Sequence, residues 1–120
     1  MKYYYNGKLV RTSEKHIYTN AVIDKSNGKC MGCRKNYELC VAYIESEISR
    51  YNGYIKFVNE AIHAINEGKS GYYYRFSGQK KYHVFKEGDT LEHYEDLMNM
   101  YRSNLDHIIN NYEVVELESK

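Results

Sequence analysis

The sequence has 120 residues, 28% charged and 42% hydrophobic, with a formal net charge of +1. That length suits one domain with one core, roughly 65% of whose unfolded surface would be buried, so neither a disulfide nor a metal is needed for stability. The balance argues against disorder and against a strongly basic nucleic-acid binder, and no apolar run approaches the ~20 residues that cross a bilayer.

Charge is unevenly placed. Residues 1–35 carry eight Lys/Arg and two acids, a net +6, while residues 36–120 carry nine and fourteen, a net −5. The basic third fits an anionic partner, or attraction between the two regions within the fold or across an oligomer. Proline and tryptophan are absent and there are 15 tyrosines, each with an apolar face and a hydrogen-bonding tip. Met1-Lys2-Tyr3-Tyr4-Tyr5-Asn6-Gly7 lacks the apolar stretch of a signal peptide. Three cysteines, an odd number, fit reduced thiols. The expectation is a cytoplasmic protein.

In chain order, residues 1–35 read as a β-meander. Strands at 2–5 and 8–13 flank Asn6-Gly7, a type I′ hairpin signal. Residues 17–23 are rich in β-branched side chains, 24–28 form a turn, and 29–33 a return strand. Residues 37–67 read as one long helix, roughly 45 Å at 1.5 Å per residue. Its stripe of Val41, Ile44, Ile48, Tyr51, Ile55, Val58, Ile62 and Ile65 alternates spacings of three and four. Asn36 is the expected N-cap and Gly68 the C′ residue. Gly53, costly inside a helix, marks a candidate close contact. Residues 71–86 form an aromatic, basic hairpin. Residues 90–112 form a second helix on Leu91, Tyr94, Met98, Tyr101, Leu105, Ile108 and Tyr112, opened by Asp89 with Glu92. Residues 113–118 alternate like a closing strand.

The expected fold is therefore α+β, a single domain with a small N-terminal antiparallel sheet packed with two long antiparallel helices joined by a hairpin. Tyr54, Phe57, Ala61 and Ala64 make a surplus stripe on the first helix. It predicts a homo-oligomer, the alternative being cover from the sheet.

Catalytic signals are weak. Cys30-Met31-Gly32-Cys33 has no second pair or clustered histidines to complete a zinc site, and it lies in a strand rather than at a helix start; ordinary reduced cysteines are expected. His93 and His107 are about 21 Å apart along a helix. No phosphate loop, nucleophile elbow or metalloprotease motif occurs. The expectation is no enzyme, no cofactor and no metal. The hairpin interleaves Tyr72, Tyr73, Tyr74, Phe76, Tyr82 and Phe85 with Arg75, Lys80, Lys81, His83 and Lys86. It is either an amphipathic hairpin with rings inward or a surface for nucleobases and phosphate. Arg50, Arg102 and Asn104 are further polar candidates beside the seams.

The order of a Lys-Tyr hairpin, Gly7-Lys8-Leu9-Val10-Arg11-Thr12-Ser13, Tyr18-Thr19-Asn20-Ala21-Val22-Ile23, long helix, aromatic hairpin, second helix and Val115-Glu116-Leu117-Glu118 resembles small phage proteins of the first Thoeris anti-defence family. These are sponges that sequester cyclic ADP-ribose isomers made by bacterial TIR-domain enzymes. Some also trap cyclic oligonucleotides at separate sites in a larger assembly. The resemblance implies a ligand pocket on Arg75, Phe76, Tyr82, Arg102 and Asn104, drawn from two chains, and a second pocket at Arg11, Thr12 and Ser13. It implies action in the infected bacterial cell. The alternative is an anti-CRISPR-type inhibitor that binds a host protein directly.

Overall fold

The computed structural model describes residues 1–67, 73–75, 82–84 and 91–120. The fold is α+β: strands β1 (Lys2–Tyr5), β2 (Lys8–Thr12), β3 (Asn20–Asp24) and β4 (Lys29–Arg34), helix α1 (Tyr37–Asn66), strands β5 (Tyr73–Arg75) and β6 (Tyr82–Val84), helix α2 (Leu91–Asn111), and strands β7 (Tyr112–Glu116) and β8 (Glu118–Ser119). Two compact units result, Met1–Ile48 with His107–Lys120, and Ser49–Asp106.

In the first unit the expected single meander is two antiparallel sheets, ordered β2-β1-β8 and β4-β3-β7. The expected closing strand is likewise two, one per sheet. The change of sheet falls at Leu117, whose N–H donates to the Thr19 carbonyl at 2.9 Å. Each N-terminal hairpin thus gains a C-terminal strand that local sequence cannot assign. Asn6 and Gly7 turn β1 into β2 with φ of 51° and 75°, as the type I′ signal requires. Tyr5 and Val10 from one sheet pack with Ala21, Ile23, Cys33 and Val115 from the other. β3 is buried at all five positions. Its polar ends are satisfied: Asn20 Nδ2 donates to the Val115 carbonyl at 3.2 Å, and Asp24 accepts from Ser26. Between β3 and β4 the register passes from Val22 opposite Gly32 to Ile23 opposite Cys30, leaving Met31 as an extra residue.

Helix α1 starts where Asn36 Oδ1 accepts the Leu39 N–H at 2.8 Å, the expected N-cap. Gly68 and Asp89 lie outside the described residues. In the second unit, Val58 and Ala61 of α1 form a core with Tyr94 and Met98 of α2. Tyr54 and Tyr101 meet at 5.1 Å between ring centroids. Of the surplus stripe, Ala61 is fully buried and Phe57 packs against the same core. Strands β5 and β6 pair antiparallel, with Arg75 opposite Tyr82; the turn between them lies outside the described residues. Among the described residues no helix is long and apolar enough to cross a membrane.

Gly53 corrects one expectation. Beyond its chain neighbours and its own helix backbone, no atom of the described residues comes within 4 Å of where its Cβ would stand. Gly53→Ala is therefore expected to raise stability by about 0.5–1 kcal/mol, by lowering unfolded-chain entropy at no steric cost. Denaturant unfolding should show a higher midpoint; a lower one would reveal a contact there.

Candidate functional site

Three cations of the basic N-terminal third line a cleft. The loop after β2 supplies Lys15, His16, Ile17 and Tyr18, the end of β4 supplies Arg34 and Lys35, and the first turn of α1 supplies Leu39. The cleft is open, about 450 Å³ in volume, within the range of small-molecule sites. Its lining holds two lysines, an arginine and no carboxylate. The N-terminus of α1 adds partial positive charge, offset in part by Glu38 in that turn.

The loop is pinned by specific contacts. The buried Tyr3 hydroxyl donates to the His16 carbonyl at 2.9 Å. The Tyr3 ring meets the Tyr18 ring edge-on at 5.3 Å between centroids. Ser13 Oγ accepts the His16 N–H at 3.1 Å. Thr19 Oγ1 lies 2.9 Å from the Lys35 carbonyl, tying the loop to the far wall. Arg34 is held by stacking over Tyr43, 5.1 Å from the ring centroid, and by donating from Nη1 to the Cys33 carbonyl at 2.8 Å. Lys15 and Lys35 are exposed. This wall presents cations and an aromatic ring around an open volume, the complement of a phosphate attached to a flat base.

Of the second set of site residues expected from sequence, Arg11 stacks over Tyr18, 5.5 Å from the ring centroid, and Ser13 shapes the loop. Thr12 is exposed opposite Lys2 in the β1–β2 pair. None of the three is among the cleft's lining residues. The lining residues Lys15, His16, Tyr18, Arg34 and Lys35 were missed as a group. Their only signal was the basic excess of residues 1–35. Of the first set, Phe76 lies outside the described residues, and Arg75 and Tyr82 are register partners on β5 and β6. Arg102 and Asn104 are both exposed. Two residues apart on a helix, they point about 200° apart, so they flank the seam on opposite sides. Arg50 lies over the rings of Tyr51 and Tyr54, at 5.3 and 6.0 Å from their centroids.

A second polar cluster joins β3 to the end of α2. His107 Nε2 lies 2.7 Å from Asp24 Oδ2 and 3.5 Å from Ser26 Oγ. Ser26 Oγ donates to Asp24 Oδ1 at 2.6 Å. These are the residue types of a hydrolase triad in a different arrangement. A triad needs carboxylate and hydroxyl on opposite ring nitrogens, whereas here both meet Nε2. The cluster is a structural lock.

Hydrogen bonds from His107, then Ser26, lower the Asp24 pKa from 3.8 to about 2. A depressed carboxyl pKa contributes stability that is complete above the unfolded value and lost as pH falls through the folded one. Acid unfolding followed by circular dichroism should therefore steepen from about pH 4 down to about pH 2. Asp24→Asn should flatten that part of the profile; an unchanged profile would remove Asp24 from it.

No family model, curated protein or solved structure matches this chain.

Proposed function

We propose that the protein is a non-enzymatic sponge that binds and holds a small anionic nucleotide, blocking the bacterial anti-phage defence that uses it as a signal. The observation that carries this is the cleft of Lys15, His16, Tyr18, Arg34 and Lys35, with three cations, an aromatic ring and no acid on its wall. The sequence resemblance to Thoeris anti-defence sponges names the ligand class: a cyclic ADP-ribose isomer, with cyclic oligonucleotides as further candidates. The protein acts in the cytoplasm of the infected cell. Capture requires cations for the pyrophosphate and a ring for the base, and no acid–base pair. In the fuller form of this reading, the two helices run antiparallel and the hairpin between them carries a further pocket. Arg75, Phe76, Tyr82, Arg102 and Asn104 contribute to it from two chains of a homo-oligomer, which explains how exposed residues on opposite flanks serve one ligand.

A thermal-shift panel of cyclic ADP-ribose isomers and cyclic dinucleotides tests this. At a free concentration of 100 times Kd a ligand adds about 2.7 kcal/mol of stability, so one class should raise Tm clearly. A flat response across the panel would overturn the proposal.

One observation favours a second reading. Ile17 is 73% exposed and Leu39 39%, both in the cleft's lining. Such apolar exposure suits an inhibitor docking on a host defence protein. Recovery of a stoichiometric host protein, with no nucleotide shift, would favour that reading.

A further inference from the structure

Residues three apart on an unbroken strand point to opposite faces. Cys30 and Cys33 on β4 do not. Because Met31 is extra in the register, Cys33 stands opposite Ala21 and Cys30 opposite Ile23, positions two apart on β3. Both sulfurs therefore lie on one face, packed in the same cluster, with Sγ atoms 3.8 Å apart. A disulfide needs about 2.05 Å between sulfurs, so the two would approach by under 2 Å. Cys30 is half-buried, whereas Cys33 and Cys40 are buried.

We propose that Cys30 and Cys33 are a thiol–disulfide exchange site, Cys30 attacking and Cys33 resolving, which takes a small-molecule disulfide such as oxidised glutathione as co-reactant. The surroundings fit these roles. The Cys33 thiol and the Gly32 N–H both hydrogen-bond to Cys30 sulfur, and the Arg11 and Arg34 cations lie near it, lowering its pKa to about 6. The same hydrogen bond and burial push Cys33 up, so it stays protonated until Cys30 has reacted. Burial pushes Cys40 up as well. Among the described residues no group of three or more His, Cys, Asp or Glu is placed to hold a metal.

In the first step the Cys30 thiolate attacks one sulfur of the glutathione disulfide. A bond forms to Cys30, the glutathione disulfide bond breaks, and one glutathione thiolate leaves. That departure removes the charge that kept Cys33 protonated. Cys33 then loses its proton and attacks Cys30 Sγ, and the second glutathione leaves as a thiolate. The two cysteines lose two electrons, the two glutathione sulfurs gain them, and the protons from the protein thiols end on glutathione. The site is independent of the nucleotide reading.

The test uses the full chain as it folds. After equilibration with oxidised glutathione and alkylation, peptide mass spectrometry should find Cys30 linked to Cys33 and Cys40 alkylated only after denaturation. In Cys33→Ser the glutathione adduct on Cys30 should persist. In untreated wild-type protein, alkylation of Cys30 should be half-maximal near pH 6 and at pH 7 roughly tenfold or more faster than that of Cys33. Full recovery of both as free thiols, linkage through Cys40, or an ordinary thiol pH profile for Cys30 would each overturn the proposal. The linkage and alkylation measurements need no variant, so a misfolded mutant does not obscure the answer.

Discussion

Tyr3→Ala is expected to lower stability by about 3–5 kcal/mol, the range for removing a buried aromatic ring. Tyr3 is fully buried, on the central strand of its sheet. Its hydroxyl holds the His16 carbonyl at 2.9 Å, and its ring supports Tyr18. The truncation therefore leaves a cavity and also releases the loop that forms the cleft wall. Tyr3→Phe separates the two effects: it keeps the ring, removes one hydrogen bond, and should cost about 1 kcal/mol. Urea unfolding reads both. Because small domains hold only about 5–15 kcal/mol in total, the alanine variant should show a sharply lowered midpoint. A loss below about 1 kcal/mol would mean that the loop is not built on Tyr3.

Lys15→Glu with Lys35→Glu should do the opposite, sparing the fold and removing the site. Both side chains are exposed, and surface substitutions of this kind stay within about 0.5 kcal/mol of neutral. Each cation that meets a phosphate contributes a charge-assisted hydrogen bond of about 1.5–3 kcal/mol. With about 1.4 kcal/mol per tenfold, losing two should weaken nucleotide binding by roughly 100-fold or more. Arg34 is the poorer choice, because it also stacks on Tyr43 and holds the Cys33 carbonyl. Calorimetric titration of the double variant should show unchanged Tm without ligand and no measurable uptake. Wild-type affinity in the double variant would move the ligand to the hairpin residues.

Helix periodicity carried the most legible part of the fold. Tyr94, Met98 and Ile108 are buried because a stripe at spacings of three and four must face a partner. Asn6-Gly7 was legible for a similar reason, since its backbone angles are local. The sheet division was not. It depends on contacts such as Asn20 with Val115 and Thr19 with Leu117, partners over ninety positions apart that no local pattern announces. The cleft was half legible: the cationic excess fitted an anionic partner or attraction within the fold, but which cations converge depends on how the loop folds over Tyr3. Cys30 and Cys33 show the same boundary. Read as an alternating strand they face apart, and one extra residue at Met31 turns them together. Gly32 inside the strand was the available sign of a bulge.

Capture without chemistry has a direct test. The purified protein should be mixed in molar excess with a cyclic ADP-ribose isomer, passed through a filter that retains protein, then heated, and the released nucleotide identified by mass spectrometry. The expected result is a filtrate depleted of nucleotide and full recovery of the intact cyclic molecule after heating. Nucleotide left in the filtrate would contradict binding, and a linear or cleaved product would contradict a sponge.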